Sequence, residues 1–156
     1  MYAKELIDEY RKKISEILEC DTENIIFKID KEVNTFLNYD KEGQNEGLYL
    51  IILKEDGKFD KTISSWRLIQ FPGCCAFCIS TGVFVYKEFR SKGIGKVLNN
   101  FRKDVSKFLG FTSLICTDIE TNTHQRKLLK SNGWKDIYSI TNKRTKNLVN
   151  ISIINL

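Results

Sequence analysis

The stretch GVFVYKEFRSKGIGK, residues 82–96, carries the strongest structural signal in this chain. Its apolar first part predicts a strand, which runs into a basic turn with two glycines and then into a helix. A helix N-terminus carries roughly half a positive charge, and its first N–H groups have no partner within the helix. Gly93 and Gly95 leave room for an anion to approach this backbone. Three basic side chains surround the same point: Arg90, Lys92 and Lys96. The turn is typical of a phosphate-binding site.

The segments on both sides of the turn predict a mixed α/β domain. Helical spacing of apolar residues predicts helices over 2–19, 93–109 and 123–132. Apolar or alternating runs predict strands over 25–29, 48–53, 62–71, 75–86, 111–119, 137–140 and 148–154. A loop is expected over 38–47 and a hairpin turn at 55–57. A meander of strands, then strand–helix–strand–helix and a closing hairpin, favours one domain over residues 1–156.

Size and composition favour a globular protein. The chain has 156 residues, of which 42% are hydrophobic and 29% charged. Its longest apolar run, Leu48 to Leu53, is too short to span a bilayer, so no membrane association is expected. The N-terminal residues mix acids with bases and lack the apolar segment of a signal peptide. We therefore expect a cytoplasmic protein.

The cysteines favour reduced thiols over a disulfide framework. Their number is odd, at five: Cys20, Cys74, Cys75, Cys78 and Cys116. Cys75 and Cys78 have the C-x-x-C spacing of zinc ligands, but there is no second such pair and His124 is the only histidine. Small apolar strand residues explain the cysteines better, and no metal site is expected.

Positive charge is concentrated in the second half of the chain. Residues 1–86 hold 11 basic and 15 acidic side chains, whereas residues 87–156 hold 14 basic and 5 acidic ones. The basic half contains the phosphate-binding turn, which favours a polyanionic ligand or partner. A solvated basic face is the alternative, and the sequence leaves it open.

Two blocks of the sequence resemble the GCN5-related N-acetyltransferase (GNAT) superfamily. Residues 90–95, RSKGIG, match its R/Q-x-x-G-x-G/A signature. Residues 122–134, NTHQRKLLKSNGW, are similar to its Asn…Leu-Tyr-x-x-x-Gly-Phe element, with Asn122, Leu128 and Gly133-Trp134 at the matching positions. The resemblance implies a mixed, mostly antiparallel twisted sheet flanked by helices, with a C-terminal β-hairpin.

The same resemblance implies an enzyme that transfers an acyl group from acyl-coenzyme A to an amine by direct attack on the thioester. The expected donor is acetyl-CoA. Its phosphates would lie on the basic turn and its pantetheine arm along the preceding strand. The residues implied in cofactor binding are Phe84, Val85, Arg90, Ser91, Lys92, Gly93, Ile94, Gly95, Lys96 and Asn122.

The chain departs from the family pattern at two catalytic positions. Leu129 stands where many members have a tyrosine, and Thr81-Gly82-Val83 where many have a glutamate. The candidates for a general base are Asp118, Glu120 and His124. The first two lie at the end of the strand where the family's cleft opens, and His124 lies near the start of the following helix. A cap, a surface charge or a solvated histidine is the open alternative for each.

Residue chemistry suggests two further roles, each with a common structural alternative. Cys116 has the thiol of a covalent nucleophile, although a buried strand cysteine is more typical. Tyr86 and Tyr138 are candidate replacement acids, although strand tyrosines usually pack.

The acceptor stays open between a small amine, a protein amine and a nucleobase. Clustered basic residues keep a nucleic-acid acceptor among these alternatives: Arg126, Lys127, Lys130, Lys135, Lys143, Arg144 and Lys146. The other function classes are a non-catalytic acyl-CoA sensor or scaffold and a plain nucleic-acid-binding protein. A homodimer is also left open.

Overall fold

The computed structural model describes residues 3–30, 47–55, 59–74 and 76–156. Its elements, in chain order, are α1 (Ala3–Leu18), β1 (Ile25–Asp30), β2 (Gly47–Leu53), β3 (Lys61–Gln70), β4 (Phe77–Val85), α2 (Ile94–Phe108), β5 (Ser113–Ile119), α3 (Thr123–Ser131), β6 (Lys135–Thr141) and β7 (Leu148–Asn155). The predicted loop up to residue 46, residues 56 and 57 of the hairpin turn, and Cys75 lie outside the described residues. Among the described helices, none combines the length and apolar character needed to cross a membrane.

Seven strands form one sheet in the order β1-β2-β3-β4-β5-β7-β6. Strands β1 to β4 pair antiparallel in succession, and β6 and β7 form the closing hairpin. Strands β4 and β5 pair in parallel, with α2 as the crossover between them. The prediction of a mixed, mostly antiparallel sheet with a C-terminal hairpin is therefore confirmed.

The predicted strands over 75–86 and 111–119 both begin later than expected. Strand β4 starts at Phe77 and β5 at Ser113. Phe111 is buried, but it lies in the turn after α2, where its N–H donates to Ser106 O at 3.1 Å. An apolar residue that packs from a turn looks the same in sequence as the first residue of a strand.

Helices α1 and α2 pack together on one face of the sheet. The Phe101 ring of α2 lies 4.6 Å from the Tyr10 ring of α1, 5.1 Å from Phe27 of β1 and 5.3 Å from Trp66 of β3. The Tyr10 hydroxyl also donates to the Asp104 carboxylate of α2. Because aromatic contacts from three elements meet at Phe101, the axis of α2 is fixed, and with it the turn at its N-terminus.

Candidate functional site

Strands β4 and β5 separate before they end. Their ladder runs from the Phe77–Ser113 pair to the Ser80–Cys116 pair and stops there within the described residues. On the other side of β4, a bulge interrupts the pairing with β3 between Ser65 and Arg67. The separation opens a cavity of about 410 Å³, called here the β4–β5 cleft, whose walls come from β4, β5, α2, α3, the residue before α3 and the β6–β7 hairpin.

The basic turn lies between β4, which lines this cleft with Ser80 to Val83, and α2, which contributes Arg102 to it. Gly93 precedes the helix with φ = +91°, a left-handed conformation that side chains rarely adopt. The N–H groups of Ile94 and Gly95 donate to no acceptor among the described residues, whereas Lys96 N–H bonds Gly93 O at 3.1 Å. A Cβ placed on Gly93 would meet no atom within 4 Å. The helix N-terminus is therefore uncapped and open, as binding an anion requires.

The charged side chains of the turn have different surroundings. Arg90 Nε donates to Val85 O at 2.7 Å, and its guanidinium lies 4.8 Å from the centre of the Phe84 ring, so this cation holds the turn against the end of β4. Lys92 and Lys96 are exposed. Both lysines thus remain free to approach a phosphate.

The other residues predicted for cofactor binding offer mainly backbone. The Ile94 side chain is buried in the core, and Ser91 is exposed with φ = +60°. Asn122 lines the cleft and also caps α3, because its Oδ1 accepts from Gln125 N–H at 3.2 Å. Its amide nitrogen stays available to a ligand in the cleft.

Asp118 is the predicted base that lines the cleft. It is buried, and its Oδ1 accepts from Arg126 Nη1 and Asn150 Nδ2, both at 3.2 Å. Its Oδ2 accepts no hydrogen bond from the described residues. Burial raises the pKa of this carboxyl, the positive charge of Arg126 lowers it, and nearby Asp136 raises it, with a net rise.

The other two predicted bases lie outside the lining of the cleft. Glu120 follows β5 and is exposed, and His124 is exposed in the first turn of α3. Of the three candidates, the fold brings Asp118 alone to the cavity wall.

The remaining candidates read from the sequence have core or surface positions. Cys116 is buried, and burial raises its pKa to about 12, so the thiol is neutral and a poor nucleophile at neutral pH. Leu129, at the position of the family tyrosine, is buried in the core. Tyr86 and Tyr138 are exposed and do not line the cleft. Cys78 is buried beside Ser113 O at 3.7 Å, and Cys75, the other cysteine of the C-x-x-C spacing, lies outside the described residues.

Arg102 is a cleft residue that sequence reasoning missed. It lies on α2, is only 1% exposed, and contributes to the cavity wall. Arginine is rarely this buried without a charged partner, which marks the position for attention.

Solved structures resemble this arrangement along most of the chain. A GCN5-related N-acetyltransferase from Kribbella flavida matches with a TM-score of 0.64 and 16% identity, covering 87% of this chain and 100% of its own. The chain has the GNAT fold. A GNAT family acetyltransferase from Elizabethkingia anophelis, with acetyl-CoA bound, matches at 0.60 and 17% identity, covering 85% and 99%. The IAA acetyltransferase from Bacillus cereus ATCC 14579 matches at 0.60 and 14% identity, covering 85% and 99%.

The resemblance carried by the two sequence blocks is thus confirmed in the fold. No family model and no curated protein matches the sequence itself. The GNAT fold is therefore shown by comparison of structures. The two sequence blocks follow β4 and β5, the strands whose ends separate.

Proposed function

We propose that the protein is an acyl-CoA-dependent N-acyltransferase, with acetyl-CoA as the expected donor. The observation that carries the proposal is the separation of β4 from β5 on a strand that leads into an uncapped, basic helix N-terminus. Similar architecture in a GNAT family acetyltransferase solved with acetyl-CoA bound supports it. A primary amine is the proposed acceptor class.

The residues of the turn and cleft fit the parts of an acyl-CoA. Its phosphates match the free N–H groups of Ile94 and Gly95 and the charges of Lys92 and Lys96. Its pantetheine amides match the strand backbone of β4 beyond Ser80, which has no pairing with β5. When bound, the thioester supplies the activated acyl group, and strand N–H groups near Phe84 and Val85 would polarise its carbonyl.

Asp118 is the proposed general base. A lysine-like amine with a pKa near 10.4 is neutral in only about one molecule in 2,500 at pH 7, a demand of about 4.6 kcal/mol. Asp118 lines the cleft, its Oδ1 holds the side chain in place, and its Oδ2 accepts no hydrogen bond from the described residues. The carboxylate can therefore take the proton from the attacking amine, directly or through one water.

The proposal does not require an acid at position 129. The leaving thiol has a pKa near 8.5, so protonating it is a much smaller demand than deprotonating the amine. Bulk water meets that demand, and the buried Leu129 is compatible with turnover.

Acetyl-CoA is expected to stabilise the protein against heat. At 100 times its Kd, a ligand that binds only the folded state adds about 2.7 kcal/mol. For a chain of this size we expect a rise in melting temperature of roughly 5–11 °C. The measurement is a thermal shift with acetyl-CoA, followed by release of free coenzyme A thiol with a panel of amines.

The rival functions give different outcomes in the same experiment. A shift without thiol release with any amine supports a sensor or scaffold. No shift, together with salt-dependent DNA binding, supports a nucleic-acid-binding protein and rejects the acyltransferase. Among the basic residues considered for that role, Arg126 is already paired with two carboxylates, at 3.2 Å each.

The activity should fall in acid at a pH above the usual aspartate range. The base must be ionised, and the pKa of Asp118 is raised, so kcat/KM is expected to drop as pH falls through that raised value rather than near 3.9. The same fall of kcat/KM in acid should persist in the Glu120→Gln and His124→Gln variants, because the side chains of these residues lie outside the cleft. If the fall of kcat/KM in acid were absent from the His124→Gln variant, His124 and not Asp118 would be the base.

A further inference from the structure

Arg102 is a buried cation in the wall of the cleft, without a carboxylate partner among the described residues. Its side chain is 1% exposed. The ion pairs of the described residues do not include it, and its hydrogen bonds go to neutral atoms. A buried charge is ordinarily paired, because removal from water is costly.

Three neutral neighbours hold the guanidinium in one position. Nη1 donates to Ser80 Oγ at 3.0 Å, and Nη2 donates to Asn99 Oδ1 at 3.0 Å. The Trp134 ring centre lies 5.7 Å from Cζ. Since Ser80 belongs to the last residue pair before β4 and β5 separate, the guanidinium lies at the floor of the cleft.

Hydrogen-bond donors outnumber acceptors around this group. A guanidinium has five N–H donors, and Nε of Arg102 is buried with no partner in the described structure. Asn99 Oδ1 also accepts from Trp134 Nε1 at 3.2 Å, which fixes the amide orientation. Asn99 Nδ2 is then a second buried donor without a partner. The floor of the cleft therefore lacks an acceptor, and in particular an anion.

The acidic groups that line the cleft, Asp118 and Cys116, do not supply that anion. Asp118 is held by Arg126 and Asn150. Cys116 is kept as a neutral thiol by burial. Arg102 itself remains charged at neutral pH, because burial lowers its pKa only to about 10.

We propose that Arg102 binds a carboxylate of one of the two substrates, carried either by the acyl group of the acyl-CoA or by the amine acceptor. This inference rests on the proposed acyltransferase function and narrows its substrate class. Arginine forms strong charge-assisted hydrogen bonds with a carboxylate, and a substrate carboxylate at the cleft floor supplies the negative charge that the Arg102 guanidinium lacks. Such a site rejects an analogue without the carboxylate, since that analogue leaves the donors unpaired.

The experiment compares matched ligands that differ in charge. In the acyl arm, the Kd of succinyl-CoA is compared with that of acetyl-CoA by calorimetry. In the acceptor arm, the KM of each common amino acid is compared with that of its carboxamide, with thiol release as the readout. We expect at least a tenfold preference for the carboxylate in one arm, and that arm identifies the source.

Arg102→Met is expected to abolish the preference while the charge-free ligands bind as before. Methionine is similar in length, and replacing a buried unpaired charge by an apolar side chain is often neutral or stabilising. The melting temperature of the free variant should therefore equal or exceed that of the wild type, whereas a purely structural arginine would lower it. Lys103→Met removes the neighbouring cation on the same helix turn and is expected to keep the preference.

The wild-type measurements decide the inference even if the variant fails to fold. No preference for a carboxylate in either arm overturns it, as does a preference that survives Arg102→Met. If coenzyme A itself binds normally in those cases, the proposed function stands while this inference falls. If coenzyme A does not bind at all, the proposed function fails first.

Discussion

Replacing Gly93 by valine is expected to abolish coenzyme A binding in a chain that still folds. The side chain would occupy the open space at the N-terminus of α2, where the phosphates are proposed to bind the N–H groups of Ile94 and Gly95. Each hydrogen bond to a charged group contributes about 1.5–3 kcal/mol. Loss of two such bonds weakens binding by roughly 10²- to 10⁴-fold, measured as the Kd for coenzyme A by calorimetry.

The chain offers a matched control for the backbone strain in this variant. Gly110 follows the other end of α2 with φ = +87°, close to the +91° of Gly93, and a Cβ there would also meet no atom within 4 Å. Valine in a left-handed conformation costs about 1–2 kcal/mol at either position. We expect Gly93→Val and Gly110→Val to melt at similar temperatures, with binding lost in the first and kept in the second. Equal Kd values for the two variants would show that the turn does not hold the phosphates.

Asp118→Asn is expected to lower kcat/KM by about 10²- to 10⁴-fold, the usual contribution of a positioned general base. The asparagine oxygen can still accept from Arg126, so the side chain keeps its place while it loses its basicity. We expect a stability cost of about 1–3 kcal/mol from the weakened buried interaction. Steady-state rates at saturating acetyl-CoA and a thermal melt separate the two effects.

Asp136→Asn is the control for the loss of negative charge beside Arg126. Asp136 accepts from Arg126 Nη2 at 3.2 Å and from Ser152 Oγ at 2.8 Å, but it is exposed and does not line the cleft. The kcat/KM of the Asp136→Asn variant is therefore expected to stay within a few-fold of the wild-type value. A comparable loss of rate in both variants would assign Asp118 to positioning through Arg126, and an unchanged rate in Asp118→Asn would exclude it as the base.

Local sequence signals predicted the elements that surround the site. The period of apolar residues located α2 to within one residue at each end, and the two glycines located the open turn before it. The hairpin of β6 and β7 followed from a polar turn between two apolar runs. These features depend on contacts between neighbours in the chain, which the sequence displays directly.

The features that make the cleft depend on distant pairings. The point where β4 and β5 separate is set by residues that are 36 positions apart, such as Ser80 and Cys116. The position of Asp118 likewise depends on a hydrogen bond from Asn150, a residue of β7. Composition and periodicity carry no information on contacts between residues that are distant in the chain. The sequence therefore indicates three candidate bases, of which the fold brings one to the cavity.

Arg102 is the exception, since a local signal was present. Ile94, Leu98 and Val105 form the buried face of α2, and Arg102 is four residues after Leu98, on that same face. Helical spacing predicts an apolar residue there. A charged residue within an apolar stripe conflicts with the pattern, and such conflicts are expected at functional sites.

The short ladder between β4 and β5 has a mechanical consequence. Four residue pairs, Phe77–Ser113 through Ser80–Cys116, are the strand pairing that joins the N-terminal meander to the C-terminal strands in the described part of the chain. This seam connects the acidic half of the protein to the basic half. A ligand that bonds to both separated strands extends this pairing. Ligand binding in the cleft is then coupled to the stability of the contact between the two parts of the sheet. A bound ligand therefore helps to hold the N-terminal and C-terminal parts of the sheet together.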